Sequence, residues 1–282
     1  MPQLIIDNAD ADARPPGDLV THLDPTPPST LVGRRARQTA VAALVAVLAV
    51  LALAPGAPAG AGDEDLCNTS PAHLYVCATY EGFLSRSPGA AELAYWAPKM
   101  PAQRSFFVST LARATEARRF TVRIYYQRFA DVNPSEAGLQ YWAPLVTEPN
   151  GLRKLEAALL ASNEATTDEW VQIAYFAQLR RDAGPAEVAY WSDRADATTR
   201  NKVAAELSNT LEVRRARVTG VYNNDLGSEP DEPGRVYWAE QLRTGTIYLD
   251  VRIAFRASAA AYANPSGCPA AAAPVPSYFC GM

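Results

Sequence analysis

Between residues 72 and 262 the apolar positions follow two superimposed periods, one of a helical turn and one of about 47 residues. Val76, Tyr80 and Leu84 stand four residues apart, and the series returns as Val122, Tyr126 and Ala130, as Val171, Tyr175 and Leu179, and as Val218, Tyr222 and Leu226. A spacing of four puts each series on one helical face. Sixteen residues after each of these tyrosines comes Trp96, Trp142, Trp191 or Trp238, each directly preceded by another tyrosine. The four Tyr-Trp pairs are separated by 46, 49 and 47 residues, while the offsets back to the tyrosine and valine are identical in every copy. Internal repetition of this kind marks a repeat architecture.

A helix breaker separates the first helix from the Tyr-Trp pair. Pro88, Pro134 and Pro230 share one offset, whereas the third copy has Ala183 there and Pro185 two residues later. The position after the breaker is Gly89, Ser135, Gly184 or Asp231, all residues that cap helix N-termini, so a second helix is predicted to start there. A third helix is predicted from the pairs Phe107 and Leu111, Leu155 and Leu159, Val203 and Leu207, and Val251 and Phe255. Their first members lie 11, 13, 12 and 13 residues beyond the tryptophan. Length variation therefore falls in the connection between second and third helices, where loops absorb it. Thr166 and Glu169 form a capping box ahead of Trp170.

The predicted fold is all-α: four tandem units of about 47 residues, about three helices each, stacked into one array because one short unit cannot bury its own apolar face. The units span residues 72–119, 120–165, 166–215 and 216–262, flanked by a Cys-bearing linker at 62–71 and a Cys-bearing, Pro- and Ala-rich tail at 263–282. Their expected core is Val76, Tyr80 and Trp96, then Val122, Tyr126 and Trp142, then Val171, Tyr175 and Trp191, then Val218, Tyr222 and Trp238.

Ahead of the repeats, residues 1–33 carry six prolines and little periodic apolar content, and read as a disordered extension or the product of a misassigned start codon. Residues 34–61 have the layout of a signal peptide: Arg34, Arg35 and Arg37, an apolar run from Ala40 to Ala54, then a small-residue stretch. Two Ala-x-Ala frames place cleavage so that the mature chain starts near Gly60 or Gly62. The alternative is a single membrane anchor over about 39–59, although its 15-residue run is shorter than the roughly 18–20 residues a spanning helix needs. Either way the folded part is outside the cytoplasm. The four cysteines, Cys67, Cys77, Cys268 and Cys280, flank the repeats, as expected of two disulfides in an exported chain. Of three connectivities, pairing Cys67 with Cys77 and Cys268 with Cys280 closes short loops at lower entropic cost; the others tie the two ends together.

The run Asn133-Pro134-Ser135-Glu136-Ala137-Gly138-Leu139-Gln140-Tyr141-Trp142, with Ser162-Asn163-Glu164 after the third helix, resembles the bacterial family called domain of unknown function 4214. The chain departs from that pattern at Glu92 and Glu187, which replace the glycine before the apolar position, and at Leu84-Ser85-Arg86, where the family's Leu-Gly-Arg turn is partly kept. The resemblance implies an exported helical module found in secreted or surface proteins, sometimes beside calcium-binding or carbohydrate-related domains.

Composition narrows the chemistry. A formal charge of -4 without a basic block argues against nucleic-acid binding, and removing residues 1–61 leaves 22 basic against 25 acidic residues. Two histidines leave little for a His-based metal site or triad, and His73 is read as a first-turn residue. Asp131, Asn133 and Ser135 alternate like the start of a calcium loop, but Glu136 and Trp142 stand where that loop needs Gly and a bidentate Glu. Asp225, Glu229, Asp231 and Glu232 are expected at turns and helix starts. Glu116, Glu164 and Glu212 recur in corresponding places, which favours structure over catalysis. Arg118, Arg119, Arg214 and Arg215 are placed near the ends of third helices. No catalytic, cofactor or metal residue is assigned. The expected role is a non-enzymatic extracellular or cell-envelope interaction or scaffold module, its partner a protein or envelope polysaccharide, touching membrane only through an uncleaved signal. The alternative is a secreted carbohydrate-active enzyme or its polysaccharide-binding accessory, with the Tyr-Trp pairs as a stacking platform.

Overall fold

The computed structural model describes residues 66–265. The N-terminal extension, the signal segment and the tail with Cys268 and Cys280 lie outside the described residues. The described chain is all-α: α1 (Pro71–Leu84), α2 (Ala90–Trp96), α3 (Arg104–Ala112), α4 (Thr115–Ala130), α5 (Glu136–Leu145), α6 (Gly151–Ala161), α7 (Thr167–Leu179), α8 (Pro185–Ala197), α9 (Arg200–Ser208), α10 (Leu211–Val221), α11 (Glu232–Arg243), α12 (Tyr248–Arg256) and α13 (Ala259–Ala263). No helix among them is long and apolar enough to cross a membrane.

The helices begin where side chains supply acceptors for first-turn N–H groups. Ser135 caps α5 by accepting from the Gly138 N–H, Asp231 caps α11 by accepting from the Gly234 N–H, and Thr166 with Glu169 forms the box that opens α7. Gly89 and Gly184 have no side chain to offer; there Glu92 and Glu187 reach back to the N-cap N–H at 2.8 and 2.7 Å. Four helical stretches end in a shared way. Five residues after the tyrosines at 80, 126, 175 and 222, the chain enters the left-handed region at Ser85, Asp131, Arg180 and Gly227, with φ of 52°, 52°, 58° and 66°. Only the last is glycine, the residue that takes this conformation without a Cβ penalty. α10 reaches its break through a π-helical turn over Tyr222–Leu226.

The limits drawn after residues 119 and 215 fall inside α4 and α10, which start at Thr115 and Leu211. Thr210 explains the second, its hydroxyl accepting from the Val213 N–H. Arg118, Arg119, Arg214 and Arg215 therefore sit in first turns of helices, not the last turns expected. Their charge opposes the helix dipole there. Glu136 meets Arg119 and Glu232 meets Arg215, offsetting that cost.

Packing departs from an open stack with free ends. α6 runs along α9, while α3 packs against α12, and α13 returns onto α1. One core gathers α4 to α9 around Leu155, Leu159, Trp170, Val171 and Val203, and a second joins α1 to α3 with Leu249 and Ala261 from the end of the chain. Polar bonds close the same junction. Tyr75 Oη donates to the Arg256 carbonyl at 2.5 Å, Arg256 Nε donates to Thr79 at 3.0 Å, and Arg252 pairs with the buried Asp225 while reaching the Gly82 carbonyl. The apolar period specifies which face of each helix is buried; it says nothing about which distant helix covers it.

Cys67 and Cys77 are joined, tying the segment before α1 to its second turn across 10 residues of sequence. Replacing both with alanine is expected to lower stability by about 2–3 kcal/mol, from loop-closure entropy, read as a denaturant midpoint shift under oxidising conditions. Ser85→Gly should act in the opposite sense. Left-handed backbone costs an L-residue roughly 1–2 kcal/mol, and glycine's extra unfolded-state freedom returns about 0.5–1 kcal/mol of that. A net gain of about 0.5–1 kcal/mol in chemical unfolding is expected.

Candidate functional site

The residues singled out by spacing occupy two kinds of position. Val76, Tyr80, Trp96, Val122, Tyr126, Trp142, Val171, Tyr175, Trp191 and Val218 are buried, whereas Tyr222 and Trp238 are half-buried. In each Tyr-Trp pair the two rings meet edge to face with centroids 4.9, 4.9, 5.0 and 5.2 Å apart. The indole turns inward. The neighbouring tyrosine lies further out, half-buried at Tyr95 and Tyr141 and exposed at Tyr190 (42%) and Tyr237 (56%).

In the third segment the interval of sixteen residues closes a hydrogen bond: Trp191 Nε1 donates to Tyr175 Oη at 2.8 Å. Burial pushes the Tyr175 hydroxyl up to about 12, so it stays protonated. One residue lost or gained between tyrosine and tryptophan would rotate the indole off its acceptor.

Around two of these pairs the chain builds a charged knot. Arg181 donates from Nη1 and Nη2 to Glu187 at 2.8 and 2.7 Å and from Nε and Nη2 to Glu212 at 2.9 and 3.0 Å, with its guanidinium 5.0 Å from the Tyr175 ring centroid. Arg86 makes the same contacts with Glu92 and Glu116, 5.2 Å from the Tyr80 ring. Each knot links the turn after one long helix to the helix that opens the next segment. In the second and fourth segments the glutamate that reaches the arginine is replaced by Gly138 and Gly234. At Gly234 a Cβ would lie 2.5 Å from the Tyr222 hydroxyl, so the tyrosine fills the space that Glu187 takes elsewhere. Sequence spacing alone missed Arg86 and Arg181; their partners come from different segments, although their common offset of six from the core tyrosine was visible.

The acidic candidates do not converge. Asp225 pairs with Arg252, Glu229 accepts from the Asn223 amide, Asp231 caps α11, and Glu232 meets Arg235 and Arg215. Asp131 is the left-handed residue after α4, Asn133 accepts from the Gln127 amide, and Ser135 caps α5. His73 faces Ser70 at the start of α1, with its Nδ1 2.7 Å from the hydroxyl oxygen, and Glu164 is exposed. Among the described residues no group of three or more His, Cys, Asp or Glu is placed to hold a metal ion. Compared with known proteins, the chain matches no protein-family model, no curated protein and no solved structure.

The knots titrate. Arg181 chiefly, with the Gly184 N–H, holds Glu187 at about 2, below its usual 4.5. A carboxyl depressed on folding stabilises the fold above its unfolded pKa and loses that contribution as pH falls through the folded value. Arg181→Met should therefore melt below the wild type near neutral pH. The gap should shrink from about pH 4.5 downward and close near pH 2. A gap of constant size across that range, followed by circular dichroism, would show that Arg181 acts through packing alone.

Proposed function

We propose that the protein is an exported, non-enzymatic helical repeat protein that serves as an interaction scaffold in the extracellular space or cell envelope. Four divergent units share the valine, tyrosine and tryptophan spacing, the left-handed break and the capped second helix, and their likeness to the domain of unknown function 4214 motif belongs to this reading. The Cys67–Cys77 bond supports an oxidising compartment.

One observation carries the interaction role. Each second helix turns its tryptophan inward to the core tyrosine and leaves the adjacent tyrosine toward solvent, most fully at Tyr190 and Tyr237. Flat amphipathic rings of this kind suit contact with a protein surface or a sugar ring. Four of the recurring glutamates, by contrast, are held by arginine, while Glu164 is exposed. Glu92 and Glu116 share Arg86, and Glu187 and Glu212 share Arg181, a structural use of carboxylates that a hydrolase would need free.

The test is co-sedimentation of the full exported chain with isolated envelopes of the producing cells. The wild type is expected in the pellet, and Tyr190→Ala combined with Tyr237→Ala should weaken retention about tenfold, the scale of one aromatic contact, with unchanged helicity. A chain that stays in the cytoplasm with both thiols reduced, or one that never associates with envelopes, overturns the proposal.

A further inference from the structure

A partly enclosed cavity of about 50 Å³ lies where α6, α10 and the start of α12 meet. Its wall is unusually basic for a protein with net negative charge. Arg153 comes from the first turn of α6, Arg214 and Arg217 from α10, and Asn209 and Tyr248 complete the polar surface.

The three guanidinium groups are unequally satisfied. Arg217 is paired with Glu156, whose side chain is only 3% exposed, so that carboxylate is committed. Arg214 is 8% exposed; it donates from Nη1 to the Asn209 carbonyl and side chain, while its buried Nε has no partner. A buried guanidinium donor without an acceptor is costly in a folded protein. Among the described residues Arg153 has no hydrogen-bond or ion-pair partner. Burial, then the charge of Arg217, push Arg153 down from its usual range, and burial with the charges of Arg243, Arg217 and Arg153 does the same at Arg214, against the opposing pull of Glu240. Glu148 also lines the cavity but is exposed.

The backbone adds to the positive character. α6 is 11 residues long and its N-cap, Asn150, gives no side-chain hydrogen bond; the Gly151 N–H donates to the Glu148 carbonyl at 3.0 Å, and the next two first-turn N–H groups with the positive end of the helix dipole are left for another acceptor. The close seating of that end depends on Gly151, where a Cβ would lie 1.7 Å from the Leu145 carbonyl oxygen.

We propose that this cavity binds a tetrahedral oxyanion of phosphate or sulfate size, held by Arg153, the guanidinium of Arg214 and the first turn of α6. The volume is several times the roughly 10–15 Å³ that one water needs. Planar guanidinium donors match the spaced oxygens of such an ion. The ion would link α6 to α10, and hence the second segment to the fourth, where Glu156 and Arg217 already make one bond. This inference is independent of the envelope-scaffold reading.

Calorimetry on the full chain, at fixed ionic strength in chloride buffer, tests it with inorganic phosphate, inorganic sulfate and glycerol phosphate. Saturable one-to-one binding of phosphate or sulfate is expected, with a rise in melting temperature. Arg153→Gln should weaken it about tenfold, the scale of one charge-assisted contact. Arg153→Lys should retain part of the affinity, and Arg123→Gln, an exposed arginine on α4 remote from the cavity, should leave it unchanged. Equal binding of glycerol phosphate identifies the terminal group of a larger molecule as an acceptable ligand, and its exclusion identifies the free ion; both uphold the site. Absence of saturable binding up to about 10 mM, or equal weakening by Arg153→Gln and Arg123→Gln, overturns it.

Discussion

The indole of Trp191 donating to the buried hydroxyl of Tyr175 sets the dimensions of the helical hairpin in the third segment. At Trp191 and Tyr175 that bond is 2.8 Å long, and both partners are more than nine-tenths buried. A buried hydroxyl or indole N–H left without a partner costs more than the bond itself contributes, so the geometry is strongly enforced. Everything between the two residues then has a fixed length. The long helix must stop five residues beyond the tyrosine, whichever residue stands there, and the chain must turn within a few residues to start a capped second helix. Arg180 accepts an unfavourable backbone conformation at that point, and Ser85 and Asp131 take the same conformation at the same offset. Beyond the tryptophan no such bond operates, and loop lengths vary.

The position four residues before the tryptophan shows a second solution to one packing problem. Glu92 and Glu187 approach the core tyrosine, cap the second helix through the backbone N–H, and bind an arginine that also holds a glutamate of the next helix. Gly234 instead yields its space to the Tyr222 ring, and Arg215 meets Glu232 by a different path. Segments one and three thus share one arrangement, while the fourth uses another. Third helices pair differently, α6 with α9 and α3 with α12, joining the second segment to the third and the first to the fourth.

Local order was largely legible in the sequence. Helix starts at Gly89, Ser135, Gly184 and Asp231, the buried faces, and the inward tryptophans all follow from interactions within about twenty residues, which spacing and capping chemistry encode directly. What could not be read depends on partners far apart in sequence. Arg217 meets Glu156 across 61 positions, and Tyr75 meets Arg256 across 181. Nothing in a helical period names such partners. The arginine pairs misplaced near helix ends show a related limit: Thr115 stands one residue and Thr210 two residues before a glutamate, yet only Thr210 is a cap, and the cap position of α4 falls on Ala114, which has no acceptor to signal it. The basic cavity was equally hidden, since Arg153 and Arg214 look like solvated charges until the helices carrying them are brought together.

The docking of α12 and α13 onto α1 bears on how the molecule reaches its folded state. α1 is synthesised before α12, and the Thr79 hydroxyl can donate to the Tyr75 carbonyl within α1, yet the Tyr75 hydroxyl finds its acceptor and Thr79 its second bond only when Arg256 has emerged. Closing a contact over that distance delays the reward for ordering the chain, which is the physical origin of slow folding in topologies rich in non-local contacts. The segments centred on α4 to α9 hold a core of their own and can collapse earlier. The first helix would meanwhile wait with an apolar face uncovered, its disulfide limiting how far it can unravel. Completion at α13 makes the last two described helices the clasp on which the core around α1 relies.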